Sequence, residues 1–259
     1  MKQRILTALM ALIVFVPFVL YGGLPFVLFT YVLATIGLIE LFNMFKTDKG
    51  IITYVLAFGT LWILLFPVNN FNFLTTKVEV VILFVMLLLS YTVLTKNKFT
   101  FQNAGVLLIG TLYVAMGFYF LIVARMEGLN YVLFVLFVIW ATDTGAYFVG
   151  RALGKRKLWP EISPNKTIEG AIGGIVMAIV VGIVFQIVYP FDLSIIQIIL
   201  VTILVSIVGQ IGDLVASSYK RHFNIKDSGK LLPGHGGILD RMDSLLFVLP
   251  LLYIINFIS

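Results

Sequence analysis

Long apolar runs separated by short polar segments dominate the chain. A membrane-spanning helix needs about 20 predominantly apolar residues, and nine runs approach or reach that length. We therefore predict an all-α, polytopic integral membrane helix bundle with about nine spans. The predicted spans are Ile5–Tyr21, Leu24–Phe45, Ile51–Pro67, Val78–Leu94, Ala104–Ala124, Leu129–Val149, Thr167–Tyr189, Leu193–Ser218 and Ile238–Ile258.

Composition agrees with this class of protein. Hydrophobic residues make up 61% of the 259 positions, against about 45–50% in soluble domains. Cysteine is absent, which excludes disulfides and thiolate metal sites. The net charge of +6 is explained by orientation signals and lipid headgroups. Because no soluble basic domain is present, we expect no nucleic-acid partner.

The basic residues also predict an orientation, since Lys and Arg concentrate in cytoplasmic loops. With the N-terminus inside, only Lys77 and Arg125 fall in outside segments, and Arg241 lies within the ninth span. This asymmetry favours nine spans with the N-terminus inside and the C-terminus outside. The inside residues are Lys2, Arg4, Lys46, Lys49, Lys96, Lys98, Arg151, Lys155, Arg156, Lys157, Lys166, Lys220, Arg221, Lys226 and Lys230.

In this topology several acids lie near the cytoplasmic ends of different spans. Charged side chains within membrane segments are costly and usually functional. We therefore expect a shared acidic layer a turn or two below the cytoplasmic surface, capped by two long basic loops. Its members are Glu40, Asp143, Glu169, Asp213, Asp240 and Asp243.

Asp213 is the first of these acids with an informative setting. Ser217 lies four residues later and Lys220 seven, so the three share one helical face. Taken alone, Asp213 is explained as well by a structural role as by a functional one. The structural role would be an Asp–Lys pair or hydrogen bonds to neighbouring helices.

Asp240 and Asp243 share one face of the ninth predicted helix, with Arg241 between them. Gly236 and Gly237 open this helix, and a glycine-led N-terminus with free N–H groups suits a phosphate. An Asp cap with a solvated Arg is the alternative. Carboxylates from two helices beside basic residues favour Mg²⁺ with substrate phosphates.

The loop at residues 150–167 leads into the seventh predicted helix. Thr167 or Ser163 is suited to cap that helix, Glu169 falls in its first turn, and Lys166 there is suited to hold a phosphate.

Asp143 adds an acid flanked by hydroxyls, although a polar packing contact explains it as well. His222 and His235 have no partner at ligand spacing, so zinc is not expected. Neither a P-loop nor a dinucleotide-binding motif is present.

Residues 217–244, here called the signature segment, hold both histidines of the chain. The run S-S-Y-K-R-(four residues)-K-D-S-G-K-L-L-P-G-H-G-G-I-L-D-R-M-D resembles the signature of the phosphatidate cytidylyltransferase (CDP-diacylglycerol synthase) family. The upstream D-T-G-A-Y-(two residues)-G-R and S-P-N-K-T-I-E-G are similar to that family too. Tyr219 stands where the pattern has an aliphatic residue or Phe, and Asn165 where it has Lys. Matching positions are Ser217, Lys220, Arg221, Lys226, Asp227, Pro233, His235, Gly236, Gly237, Asp240, Arg241 and Asp243.

The resemblance implies an enzyme of the bacterial plasma (inner) membrane whose active site faces the cytoplasm. It implies that CTP and phosphatidate, a membrane lipid, give CDP-diacylglycerol and diphosphate, with Mg²⁺ as cofactor, K⁺ as a second ion, and a homodimeric assembly. Asp213 and Asp240 are then the metal ligands. Catalytic candidates are Lys220, Arg221, Asp227, Arg241 and Asp243; substrate-binding candidates are Asp143, Ser163, Lys166, Thr167, Ser217, Lys226, His235, Gly236 and Gly237.

The chain divides on this interpretation into N-terminal spans at 1–126, for packing, dimerisation and lipid access, and catalytic spans at 127–259. Two other functions compete. An ion-coupled secondary transporter also buries acids, but near mid-membrane and with internal repeats, and no repeat is evident here. A CTP-dependent polyprenol or phytol kinase transfers the γ-phosphate instead, so it releases CDP rather than diphosphate.

Overall fold

The computed structural model describes residues 2–45, 50–67 and 77–258. Lys46 and Lys49, which the charge count assigns to the inner side, lie outside these residues. The described parts of the chain form nine helices and one hairpin. These are α1 (Lys2–Tyr21), α2 (Gly23–Phe45), α3 (Ile51–Leu65), α4 (Lys77–Leu94), α5 (Phe101–Glu127), α6 (Leu129–Leu153), β1 (Lys157–Trp159), β2 (Ser163–Thr167), α7 (Ile168–Val188), α8 (Ile195–His222) and α9 (Leu239–Ile254).

Each predicted span coincides with one helix, and the chain is a multi-pass membrane protein. Among the described residues, six helices are long and apolar enough to cross a membrane: α2, α4, α5, α6, α7 and α8. With 15 residues, α3 extends about 22 Å, less than the roughly 30 Å of hydrocarbon in a bilayer. The count of nine spans and the orientation therefore stay predictions.

One short hairpin departs from the all-α prediction. β1 and β2 pair antiparallel, with Lys157 opposite Thr167 and Trp159 opposite Ser163. The sequence predicts a loop for this segment, because no run of alternating apolar residues marks the strands. Most of its side chains are exposed. β2 leads directly into α7 and thereby fixes where that helix begins.

Contacts divide the chain into two compact units. The first holds Met1–Met126 together with Asp227–Arg241. In it, Arg125 donates from Nε to Val19 O (2.5 Å) and from a terminal nitrogen to Leu20 O (3.0 Å) at the end of α1. Lys77 Nζ donates to Leu64 O (2.7 Å) at the end of α3. Both cations thus satisfy carbonyls at the negative end of a helix.

The second unit holds Glu127–Lys226 and Met242–Ser259. Glycines bring α6 and α7 close together here: a Cβ on Gly174 would lie 2.8 Å from Thr142 O, and one on Gly145 2.7 Å from Gly173 O. The buried Thr142 Oγ1 lies 3.0 Å from Ser206 Oγ, which ties α6 to α8. This packing brings the polar ends of the three helices around one cavity.

Candidate functional site

A cavity of about 430 Å³ lies in the second unit, at the ends of α6, α7 and α8 and beside the hairpin. Carboxylates and cations line it together, which suits a charged ligand rather than a lipid tail. Four residues that the sequence predicted for the site are on its wall. The lining residues are Asp143, Ala146, Tyr147, Gly150, Arg151, Leu158, Asn165, Lys166, Thr167, Gly170, Ala171, Gln210 and Asp213.

Asp213 forms an ion pair with Lys166, across from α8 to β2. The two side chains are 34% and 28% exposed, so both charges remain open to solvent and to a ligand. The pair joins the predicted metal ligand to the predicted phosphate-binding lysine. From the sequence, Lys220 on the same helical face is one candidate partner for Asp213.

Thr167 and Glu169 hold the basic loop against α7, as expected from their positions. Thr167 is the N-cap, and its Oγ1 accepts from Gly170 N (3.1 Å). Glu169 lies in the first turn of α7 and accepts from the backbone N–H groups of Lys155 (3.0 Å) and Arg156 (3.2 Å). The predictions of a Thr cap and of Glu169 in the first turn are confirmed.

Asp243 and Asp213 are electrostatic neighbours in the second unit. Asp243 interacts with Asp213 and, more weakly, with Lys220 and Asp143. Close packing causes this, since a Cβ on Gly212 would lie 2.9 Å from Asp243 O. Asp243 therefore interacts with two of the other predicted acids, Asp213 and Asp143.

Arg221, at the end of α8, donates from Nε to Ile162 O in the hairpin (3.3 Å). Its side chain is exposed, whereas Ser163, Ser217 and Lys220 are each partly buried. The hairpin, which was not predicted from the sequence, thus carries Lys166 and contacts Arg221.

In the first unit, residues 227–238 form a loop, here called the glycine loop, that leads into α9. His235 N donates to Leu232 O (2.8 Å) and Leu232 N to Gly236 O (2.9 Å). Gly234 has φ +79°, which with Pro233 before it matches a type II turn. The Pro-Gly pair of the signature segment therefore has a structural role.

One carboxylate oxygen of Asp240, Oδ2, makes several bonds to the glycine loop. Oδ2 accepts from Ser228 N (2.7 Å) and Gly237 N (3.0 Å), and lies 2.8 Å from Ser228 Oγ. Gly236 has φ +82°, and a Cβ there would overlap the Asp240 carboxylate. The loop is thereby fitted closely around the predicted metal ligand.

The carboxylate of Glu40, on α2, caps the beginning of α9. Its carboxylate accepts from Ile238 N (2.9 Å) and Leu239 N (3.0 Å) and lies 3.1 Å from Ser228 Oγ. The prediction of free N–H groups at this helix end is wrong, because Glu40 and Asp240 already accept from residues 237–239. Sequence reasoning placed Glu40 in the acidic layer but missed this role; the signal was a lone acid inside an apolar span.

The remaining predicted residues differ in their exposure. Lys226, Asp227 and Arg241 are exposed. His235 is partly buried, and its Nδ1 has no hydrogen-bond partner among the described residues. Within the ranges that the structure describes, no group of three or more His, Asp or Glu side chains stands ready to hold a metal.

Comparison with known proteins identifies the family. The model of the cytidylyltransferase family matches residues 2–259. The phosphatidate cytidylyltransferase of Staphylococcus saprophyticus is 50% identical over 98% of this chain and 98% of its own length. The protein of the same name from Bacillus subtilis is 47% identical over 98% of this chain and 96% of its own. The chain therefore belongs to the cytidylyltransferase family.

Proposed function

We propose that this protein transfers the CMP group of CTP to phosphatidate, giving CDP-diacylglycerol and diphosphate. The observation that carries the proposal is the cavity at the ends of membrane helices, which the carboxylates of Asp143 and Asp213 line together with Lys166 and Arg151. Near-full-length similarity to proteins named phosphatidate cytidylyltransferase supports the same reaction.

The chemistry needs charge neutralisation more than proton transfer. An oxygen of the phosphatidate phosphate attacks the α-phosphorus of CTP while the bond from that phosphorus to the bridging oxygen breaks, and diphosphate leaves. Because the attacking phosphate is already anionic, no general base is required. Lys166 and Arg151 in the cavity, with Lys220 and Arg221 on α8, would orient the phosphates and offset their charge.

The donor set fits Mg²⁺. No preformed cage of three ligands exists among the described residues, and Mg²⁺ characteristically takes one or two carboxylates and completes its shell with substrate phosphates and water. Asp213 and Asp240 are the residues we assign to hold it, with K⁺ as a second ion. The bound cation would supply Lewis-acid stabilisation of the phosphate charge.

The proposal extends to location and partners. CTP would enter from the cytoplasm and phosphatidate from the bilayer, with the site facing the cytoplasm of a bacterial plasma membrane. Lys166 on the hairpin and the basic residues at the end of α8 suit anionic substrates and headgroups. We further propose a homodimer.

A single assay tests the activity. Purified protein, CTP labelled in the base, phosphatidate and Mg²⁺ should yield labelled CDP-lipid and diphosphate, and EDTA should abolish both. Release of labelled CDP with a phosphorylated lipid would instead indicate a kinase. Absence of any lipid product, with ion flux in vesicles, would indicate a transporter and overturn the proposal.

A further inference from the structure

The buried carboxylate of Glu40 reaches a segment nearly 200 residues away in the chain. Only 6% of the residue is exposed, although a charged group in an apolar helix is costly. Its oxygens serve the glycine loop: Oε1 accepts from Ile238 N, while Oε2 accepts from Leu239 N and lies beside Ser228 Oγ. The cost of burying this carboxylate is offset by its hydrogen bonds, two of which come from the backbone N–H groups of Ile238 and Leu239.

The glycine loop is shaped to this carboxylate. A Cβ on Gly229 or on Gly237 would overlap the carboxyl group of Glu40. Neither glycine has a positive φ in the described backbone, so the close approach of Glu40, rather than backbone conformation, requires the absence of a side chain at both positions.

Ser228 connects Glu40 to Asp240. Its hydroxyl lies 3.1 Å from Glu40 Oε2 and 2.8 Å from Asp240 Oδ2, and its N–H donates to Asp240. The three remaining backbone contacts of the carboxylates fall on consecutive residues: Gly237 for Asp240, and Ile238 and Leu239 for Glu40. A shift in one carboxylate therefore moves the donors of the other.

We infer that Glu40 is a positioning residue for the transferase reaction: it fixes the glycine loop and the start of α9, and through them the carboxylate of Asp240. This inference rests on the proposed function for its kinetic consequence. Glu40 acts through the loop rather than on substrate, since both of its oxygens already accept hydrogen bonds from protein groups.

The first test compares substitutions of Glu40 with a matched control. E40Q keeps the volume but turns one acceptor into a donor that faces a backbone N–H, that of Ile238 or of Leu239. E40A removes the group, and E40D retains a shorter carboxylate. We expect kcat to fall about tenfold or more in E40Q and E40A, with partial recovery in E40D. Glu79→Gln, an exposed acid in the first turn of α4, should retain wild-type kcat.

Two readouts separate positioning from general destabilisation. The Mg²⁺ concentration for half-maximal rate should rise in E40Q, because Asp240 is displaced, whereas KM for phosphatidate should stay unchanged. Amide exchange measured by mass spectrometry should accelerate about tenfold or more over residues 228–239 and stay unchanged over residues 163–170.

The second test uses the fit between Gly237 and Glu40. Gly237→Ala should lower kcat as E40A does, because the new methyl group displaces the carboxylate. Combining it with E40A should add little further loss, since the overlap is gone. Gly59→Ala is the control, because a Cβ there meets nothing within 4 Å.

Unchanged exchange over residues 228–239 in E40A, or additive losses in the double variant, would overturn the inference. So would wild-type kcat and Mg²⁺ dependence in E40Q. Failure of the wild-type protein to form CDP-lipid would reject the proposed function alone, because the exchange measurement still tests the contact between Glu40 and the glycine loop.

Discussion

The ion pair of Lys166 with Asp213 joins a residue of the hairpin to one of α8 at the cavity wall. Each is about one-third exposed or less, so the pair itself adds little to stability. Measured exposed pairs contribute about 0.2–1 kcal/mol. On the proposed function, the pair would keep a positive and a negative group at the cavity wall for the phosphates and the metal.

Replacing Lys166 with Met should therefore affect catalysis far more than folding. We expect kcat/KM for CTP to fall by about 10²-fold, the loss typical of removing one charge-stabilising donor. The melting temperature in detergent should move by only a few degrees. Lys157→Met is the control, since Lys157 is an exposed cation on the same hairpin. Equal losses in both variants would contradict a specific phosphate contact.

Asp213→Asn should abolish turnover while the protein still inserts and purifies. The substitution keeps the shape of the side chain but removes the charge that we assign to the metal, and losses of about 10²–10³-fold are common for such groups. Steady-state rates across a Mg²⁺ titration provide the measurement. Asp192→Asn, an exposed acid in the connection between α7 and α8, should behave as wild type. Near-normal rates in Asp213→Asn would reject the assignment.

Among the elements, α6 and α7 depend on glycine for their close approach. Gly174→Ala would bring a methyl group to 2.8 Å from Thr142 O, and this backbone oxygen cannot move aside without shifting α6. Overpacking of this kind costs about 1–3 kcal/mol.

We expect Gly174→Ala to lower the melting temperature in detergent and to raise KM for CTP, because the cavity is built on this helix pair. Gly105→Ala is the matched control, since a Cβ at that position has open space around it. It should leave the melting temperature unchanged or raise it, because glycine weakens a helix interior. Equal melting temperatures in the two variants would contradict the packing argument.

The helices were predictable from the sequence, whereas the details of the site were not. Apolar runs long enough to span a bilayer locate α2 or α8 without tertiary information. The hairpin at 157–167 was not predicted because it is short and largely exposed. The partner of Glu40 was not predicted because a hydrogen bond across almost 200 positions leaves no periodic pattern. The ion pair of Asp213 with Lys166 on the hairpin leaves no such pattern either.

At the scale of the whole molecule, the charge asymmetry of the loops is the evidence for orientation. Two residues assigned to the outside, Lys77 and Arg125, each bond to carbonyls at the end of a helix. Their presence therefore has a local structural cause and does not argue against the assignment.

A reporter fused to the C-terminus should be found outside the cytoplasm, and one fused to the N-terminus inside. Paired alkaline phosphatase and fluorescent protein fusions at the C-terminus provide the measurement, since each is active on one side only. A fusion after residue 126 is a further check, because five preceding spans put that point outside. A C-terminal reporter active in the cytoplasm would refute the odd number of spans.

The capping of α9 by Glu40 bears on how small a working enzyme can be made. A fragment starting at residue 127 would keep every position of the family motifs yet lose the acceptor for Ile238 N and Leu239 N. Two amides that are buried in the intact protein would then lose the acceptor of their hydrogen bonds. Minimal versions of this protein should therefore retain α2, or supply it as a separately expressed chain.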